Sequence, residues 1–322
     1  MRASVYYENG SPDVFRYEDV PDPQITDDEI LIRVAAIGIQ GGDVLNRQGG
    51  DLTSSPHIVG YQASGIVEAV GASVTSFSIG DRVVSLGMNG SHAERRAAHH
   101  SFCWKLPEDM SFEVASAVPT EFGTAHDCLF EFGRLTAGET VVIHAAASGV
   151  GIAAIQLAKR ADARVLATAS SDERLERLHP FGVDDGINYA TTDFVDEVRR
   201  LTDGQGANVI VDAVGGPTLQ KSLHCLAYRG RVVNFGNAGR HEQALLDVSS
   251  MGGNNQSLTS YFLGAELFMS PRPYGVIAAL LEEIARGELR VVIDRSFSLA
   301  QAGEAHAYVE SRQALGRVIL VP

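Results

Sequence analysis

Three cysteines in 322 residues, Cys103, Cys128 and Cys225, are too few and too scattered for a disulfide framework, and none has the paired spacing of a zinc module. They read as reduced thiols, and Cys128 reads as a small buried core residue before it reads as a ligand contact. Long apolar runs are missing too: no stretch approaches the roughly 20 residues that a bilayer-crossing helix needs. The amino terminus, MRASVYYENG, lacks a signal-peptide hydrophobic region, so the expectation is a cytoplasmic protein with no membrane partner. Basic charge is also in short supply. With 26 Lys and Arg against 40 Asp and Glu, the formal net charge of −14 argues against nucleic-acid or anionic-lipid partners. Internal repeats, low-complexity stretches and long linkers are absent.

What remains is a globular composition, 45% hydrophobic, in a chain long enough for two domains. Up to about residue 118 the short runs SVYYE, EILIRVAAIGI, SGIVEAVG and DRVVSLG alternate with Gly, Pro and Asp, the pattern of a compact, barrel-like β domain. From 119 to 265 strand-like runs (VVIHA, RVLATA, GINY, VIVDAV, RVVNFG) alternate with helical segments, which points to a parallel sheet. A helix pattern, YGVIAALLEEIARGEL, and two more strand-like runs close the chain. The expected fold is α/β: a Rossmann doubly wound parallel sheet, 119–265, inserted into a barrel-like β domain made of 1–118 and 266–322.

The segment VVIHAAASGVGIAAIQLAKR, residues 141–160, runs as an apolar strand into a small-residue turn and out as a helix. A pyrophosphate needs backbone N–H donors at the positive end of a helix with no side chains in the way. Ala146, Ala147, Ser148, Gly149 and Gly151 leave that room, although Ala146 and Ser148 occupy the first two glycine positions of G-x-G-x-x-G. Ala147, Ser148, Gly149, Val150 and Gly151 are therefore candidate cofactor contacts; the competing reading is an ordinary, tightly packed strand-turn-helix. The next strand, RVLATA, ends at Ala169, where an NAD site usually places an acid for the ribose hydroxyls. Ser170, Ser171 and Arg174 follow instead, a set suited to a 2′-phosphate, so NADPH is favoured over NADH. Arg174 also reads as part of a solvated charged face, SDERLER. Val214, after VIVDA, and Gly236 and Asn237, after RVVNF, fall at the carboxyl edge of the sheet, where nucleotides lie.

The order and spacing of YEDVPDP, GYQASGIVEAVGASVTSFSIGDRVVSLG, HAAASGVGIAAIQLAK, INYATTDFVDEV, VDAVGG, VVNFGNAGR and GRVILVP resemble the zinc-independent quinone oxidoreductase (zeta-crystallin-like) branch of the medium-chain dehydrogenase/reductase superfamily, over nearly the whole chain. The resemblance implies a GroES-like catalytic domain and a homodimer. It sets Tyr189 beside Arg174 at the phosphate, Gly236 and Asn237 against the cofactor, Tyr261 and Phe262 near the nicotinamide amide, and Arg317 near the cofactor's other end. Where zinc members carry Cys, His and Glu, this chain has Gln40, Tyr61 and Gln62, which cannot form a tight zinc site, so no metal is expected. His99 and His100, adjacent on a strand, are expected on opposite faces as a scattered surface pair.

Without a metal, the hydride chemistry suits acceptors that carry their own place for negative charge, quinones and α,β-unsaturated carbonyls. The pocket candidates are Gln40, Asp43, Tyr61 and Thr124, with Asn46 beside them. Against the family's N-P-x-D form, Gln40 and Gly41 replace Asn and Pro, and Leu45 replaces a frequent tyrosine. Asp43 has a second reading as a helix cap; Tyr61 and Gln62 have one as supports of the β domain; Glu121 reads first as a solvated loop charge and second as a pocket acid. The expected activity is NADPH-dependent, zinc-independent reduction of a quinone or enone, with water as proton source. The alternatives are an enoyl-thioester or polyketide-intermediate reductase, a cyclase or isomerase on the same scaffold, and a non-catalytic NADPH-binding structural or regulatory protein; RNA binding is disfavoured by the acidic balance.

Overall fold

The computed structural model describes residues 1–240, 245–247 and 249–322, and divides the chain into two compact units, Met1–Thr120 with Ser270–Pro322, and Glu121–Met269. In the second unit, Val- and Ile-rich runs make strands buried on both faces, as a sheet covered by helices requires. Six strands pair in parallel, in the spatial order Asp185–Asn188, Arg164–Ala169, Thr140–Ile143, Ala207–Asp212, Leu226–Asn234 and Ser257–Ser260. The first strand in the unit's chain order lies third in space and the fourth lies beside it, so the winding reverses between Thr140–Ile143 and Ala207–Asp212. That reversal opens a crevice at the carboxyl ends of the strands. Val142, Leu166, Ile210 and Val232 from four strands form its core, with Phe194 and Val198 from one helix and Leu219 from another packed on them.

The first unit is built on a seven-stranded sheet, ordered Ile293–Ser298, Arg317–Val321, Glu29–Gly38, Gln62–Val70, Arg82–Leu86 and Cys103–Lys105, with Arg95–His99 also paired to Glu29–Gly38. Period-two patterning sets its faces: Ile30, Ile32 and Val34 are buried while Arg33 between them is exposed. Val67, Phe77 and Val83 close over Ile30 and Ile32. The returning carboxyl-terminal strands complete a second cluster, where Leu299, Ala302, Val318 and Leu320 meet Val34 and Ile37. Trp104 fastens the helix Arg272–Ala285 to this unit: its ring stacks on Tyr274 at 5.5 Å and its indole N–H donates to the Tyr274 carbonyl at 3.0 Å.

Two local expectations are corrected. The His99 and His100 rings stack at 5.0 Å with 19° between their planes, because the strand ends at His99 and His100 begins a 3-10 turn, which breaks the alternation. Glu121 is fully buried in the helix Pro119–His126 and is not a solvated loop charge. Among the described residues no helix is long and apolar enough to cross a membrane.

Candidate functional site

The turn after Thr140–Ile143 is shaped by three features. Ala145 takes a left-handed φ of 50°, which turns the chain sharply at the end of the strand. Ser148 caps the helix Gly149–Arg160, its hydroxyl accepting from the Gly151 N–H at 3.1 Å. Gly151 has no room for a side chain, since a Cβ there would sit 2.5 Å from the Ala146 carbonyl oxygen and 2.7 Å from that of Ala145. The first helical turn thus descends onto the backbone of the strand-to-helix turn, and helix geometry leaves the N–H groups of Gly149 and Val150 without intrahelical acceptors. Ala147, Ser148, Gly149, Val150 and Gly151 together form a turn that could cradle an anion, with the helix dipole behind it. His144 supports the cradle from beneath; its buried ring bonds Thr168 Oγ1 at 3.0 Å and Ser222 Oγ at 3.1 Å, and burial lowers its basicity.

The neighbouring strand ends at buried Ala169. Ser170 is exposed beyond it, and Ser171 caps the short helix Asp172–Glu176 by accepting from the Arg174 N–H at 3.3 Å. The Tyr189 N–H donates to the Ala169 carbonyl at 3.1 Å, and the Tyr189 ring is 49% exposed, which sets an open aromatic face beside this serine pair. Ser170, Ser171, Arg174 and Tyr189 are therefore gathered at one strand end.

Asp212, at the end of the fourth strand, folds the next two strand ends together. Its carboxylate accepts from the Val214 N–H at 2.7 Å and the Gly215 N–H at 3.2 Å, and the Asn234 amide donates to it at 3.1 Å. Gly215, at φ 71°, comes so near Gly236 and Asn237 that a Cβ there would lie 3.0 Å from the Gly236 carbonyl and 3.2 Å from the Asn237 side-chain oxygen. Val214, Gly236 and Asn237 thus share one ridge of the crevice. The Tyr261 ring is buried and its hydroxyl donates to Asp127 at 2.9 Å, while Phe262 next to it is 52% exposed.

On the first unit, Gln40, Asp43 and Tyr61 converge. Gln40 precedes the helix Gly41–Gly49, and the Asp43 carboxylate accepts from the Gln40 N–H at 2.8 Å and the Tyr61 N–H at 3.1 Å. Asp43 therefore acts as the cap and also ties the helix start to Tyr61. The Tyr61 ring covers Gly42, where a Cβ would meet ring carbon at 2.4 Å. Burial pushes the Asp43 carboxyl up to about 7, against the pull of its hydrogen bonds and of Arg317 and Arg96; burial and Asp43 together push the Tyr61 phenol up to about 12. Arg317 thus stands near Asp43, at the start of the strand Arg317–Val321. Gln62 is buried, its side-chain oxygen accepting from the Thr120 N–H at 3.2 Å and hydroxyl at 2.9 Å, and Asn46 accepts from the Tyr6 hydroxyl at 3.0 Å. Thr124 is buried on the helix Pro119–His126, in the second unit.

Three residues of these networks were not singled out from sequence. Asp212 had a signal, an acid followed by Ala, Val and two Gly at a strand end. Asp127 had none, because its partner lies 134 residues away. Arg96 had one in the alternation of RRAAH, whose inward positions are Arg96 and Ala98.

Two family patterns match the chain. The alcohol dehydrogenase GroES-like domain matches residues 26–108, and the zinc-binding dehydrogenase pattern matches residues 149–285. Together with the reversed parallel sheet they define the class, a two-domain dehydrogenase or reductase of the medium-chain type. A quinone oxidoreductase of Pseudomonas aeruginosa is 34% identical over 318 residues, covering 97% of both chains. A Danio rerio synaptic vesicle membrane protein VAT-1 homolog is 31% identical over 316 residues, and the match takes in 92% of this chain but 65% of that protein's length. The structure of Escherichia coli quinone oxidoreductase complexed with NADPH superposes with a TM-score of 0.94 at 28% identity over all of both chains. The chain belongs to the quinone oxidoreductase branch of the medium-chain dehydrogenase/reductase superfamily.

The zinc in one family name does not fit this donor set. Gln40, Tyr61 and Gln62 offer two amides and a phenol whose ionisation burial disfavours, and Gln62 is already bonded to Thr120. Among the described residues no group of three or more His, Cys, Asp or Glu is arranged to hold a metal ion.

Proposed function

We propose that the protein is an NADPH-dependent reductase of quinones or α,β-unsaturated carbonyls that works without a metal. The observation that carries the cofactor reading is the cradle at Ser148–Gly151 combined with a strand end that offers Ser170, Ser171, Arg174 and Tyr189 and no acid at Ala169. An acid there would repel a 2′-phosphate; hydroxyls and a guanidinium make charge-assisted bonds to it. When bound, NADPH supplies a hydride, whose electron pair adds to the acceptor and leaves negative charge on the conjugated oxygen.

The residues of the chain then have defined tasks. Gly149, Val150 and Gly151 hold the pyrophosphate; Val214, Gly236 and Asn237 border the ribose; Tyr261 and Phe262 remain assigned to the nicotinamide amide through backbone or neighbouring groups, and Arg317 to the cofactor's other end. Gln40 donates an amide N–H to the acceptor oxygen, Tyr61 and Thr124 supply hydroxyl donors, and Asp43 keeps Gln40 and Tyr61 oriented. Donors aimed at the developing charge do the work a metal would otherwise do. A proton from water completes the product, and NADP+ leaves. The proposed assembly is a homodimer, consistent with the edge strand Ser257–Ser260, which has a sheet neighbour on one side only among the described residues; sedimentation tests it.

The test is cofactor discrimination. Wild type is expected to oxidise NADPH in preference to NADH, and Arg174→Glu to lose that preference. Equal use of the two cofactors by wild type contradicts the assignment.

A further inference from the structure

Arg96 lies inside the first unit, 3% exposed, and its charge is answered by neutral oxygens. One guanidinium nitrogen donates to the Ser85 carbonyl at 3.4 Å and hydroxyl at 3.3 Å, and another to the Asn89 carbonyl at 3.1 Å. Among the described residues its Nε has no partner. A buried arginine arranged in this way is costly unless its position or its field is used.

Its position is used. The guanidinium spans the 85–89 turn and lies against Gly87, where a Cβ would come within 2.5 Å of it. The Gly87 N–H donates to the Tyr61 carbonyl at 2.8 Å, the Tyr61 N–H donates to one Asp43 oxygen at 3.1 Å, and the Gln40 N–H donates to the other at 2.8 Å. Arg96 therefore holds the turn at Ser85 and Asn89 and packs on Gly87, from which backbone and carboxylate bonds lead through Tyr61 and Asp43 to Gln40. The Asn89 amide extends it to Thr53 at 3.2 Å.

The field is used at Asp43. Both bonds that fix Gln40 and Tyr61 need acceptor oxygens, and a protonated carboxyl would turn one of them into a poor acceptor. Burial disfavours the carboxylate, while Arg96 and Arg317 favour it, leaving Asp43 near 7. Tyr6 and Tyr61 also face it, and both are uncharged at that pH because burial raises their phenols. Arg96 is itself lowered to about 10 by burial, so it stays charged where the enzyme works; Cys103 and Asp43 support its charge, and neutral His92 stands nearby.

We propose that Arg96 is a positioning residue for acceptor reduction: it braces the 85–89 turn behind Tyr61, and its buried charge keeps Asp43 the carboxylate that orients Gln40 and Tyr61. The inference rests on the reductase reading for its catalytic consequence, but the coupling of Arg96 to Asp43 is measurable without turnover.

The experiment compares wild type, R96Q and R96K by carbon-13 titration of the Asp43 carboxyl, NADPH affinity, and kcat and KM against pH for a quinone. R96Q is expected to raise the carboxyl midpoint by about one unit. Its kcat/KM at pH 7 should fall about fivefold, as the ionised fraction of Asp43 drops, with NADPH affinity unchanged, and part of the loss should return above pH 8, where Asp43 ionises again. R96K keeps the charge without the fork and should keep the midpoint. An unchanged midpoint in R96Q, a pH-independent loss, or a midpoint raised equally in R96K overturns the proposal. Should R96Q not fold, the wild-type Arg96 guanidinium nitrogen signals should move with the Asp43 midpoint and stop moving in D43N; signals that ignore that midpoint overturn it too. Wild type that turns over no quinone or enone overturns the reductase reading and the catalytic role with it, while the titration still decides the coupling.

Discussion

Gly151→Ala is the smallest change that tests the cofactor cradle. The added carbon would lie 2.5 Å from the Ala146 carbonyl oxygen, 2.7 Å from its carbon and 2.7 Å from the Ala145 oxygen. All three are backbone atoms, so no side chain can swing aside. The turn is also held in place: the Ala146 N–H donates to the Thr168 carbonyl at 3.2 Å and the Ser148 N–H to the Ala145 carbonyl at 2.9 Å. The helix start must therefore rise by several tenths of an ångström, at a cost of about 1–3 kcal/mol typical of overpacking. Alanine's better helix propensity returns up to about 1 kcal/mol of this. The expected net result is a Tm lower by a few degrees, with NADPH bound at least about tenfold more weakly because the N–H donors have moved, an effect of about 1.4 kcal/mol. Calorimetry and NADPH fluorescence titration read the two effects. Gly275→Ala, at an exposed helical position with nothing within 4 Å of the added carbon, is the control and should be neutral or stabilising by up to about 1 kcal/mol. G151A with wild-type Tm and wild-type NADPH affinity would refute the close-approach argument.

Further outcomes follow from the same geometry. Ser148→Ala removes the cap of the cradle helix and should cost about 1 kcal/mol of stability while weakening NADPH binding, read by the same titration. Acid should unfold the first unit early: the His92 and His306 rings contact at 3.0 Å, burial lowers His92 to about 3 and His306 well below its usual value, so the unfolded chain takes up protons first as pH falls below about 6.5. His92 alone should remove about 2 kcal/mol of stability by pH 5. Asp43 works in the opposite sense, since its raised carboxyl favours the folded state as pH falls from 7 towards 4, so Tm against pH in H92Q should show a weaker acid decline than wild type. The three buried thiols, all raised by burial, should resist a thiol reagent in the native state and all react after denaturation.

The parts of the fold and site legible in sequence are those set by local spacing. The strand-turn-helix at 141–160 announces itself because close backbone approach demands small residues at fixed intervals, and the capping role of Asp43 follows from its place three residues after Gln40. The mostly antiparallel sheet of the first unit shows through period-two runs such as that at 29–38. Tertiary neighbours decide the rest. Glu121 looks solvated in sequence because acids usually are, yet it is buried in its helix. The resemblance sets Tyr261 near the nicotinamide amide, but the bond of its hydroxyl to Asp127 has no local signature. Arg96 hides in a charged doublet, and only the strand's alternation sends Arg95 outward and Arg96 inward.

The most direct measurement is steady-state oxidation of NADPH and of NADH by the purified, metal-free protein against a panel of quinones and α,β-unsaturated carbonyls. Turnover that prefers NADPH and needs no added zinc is the expected result. Tight NADPH binding with no turnover on any acceptor, or activity that appears only when zinc is supplied, would contradict the reading of a metal-free reductase.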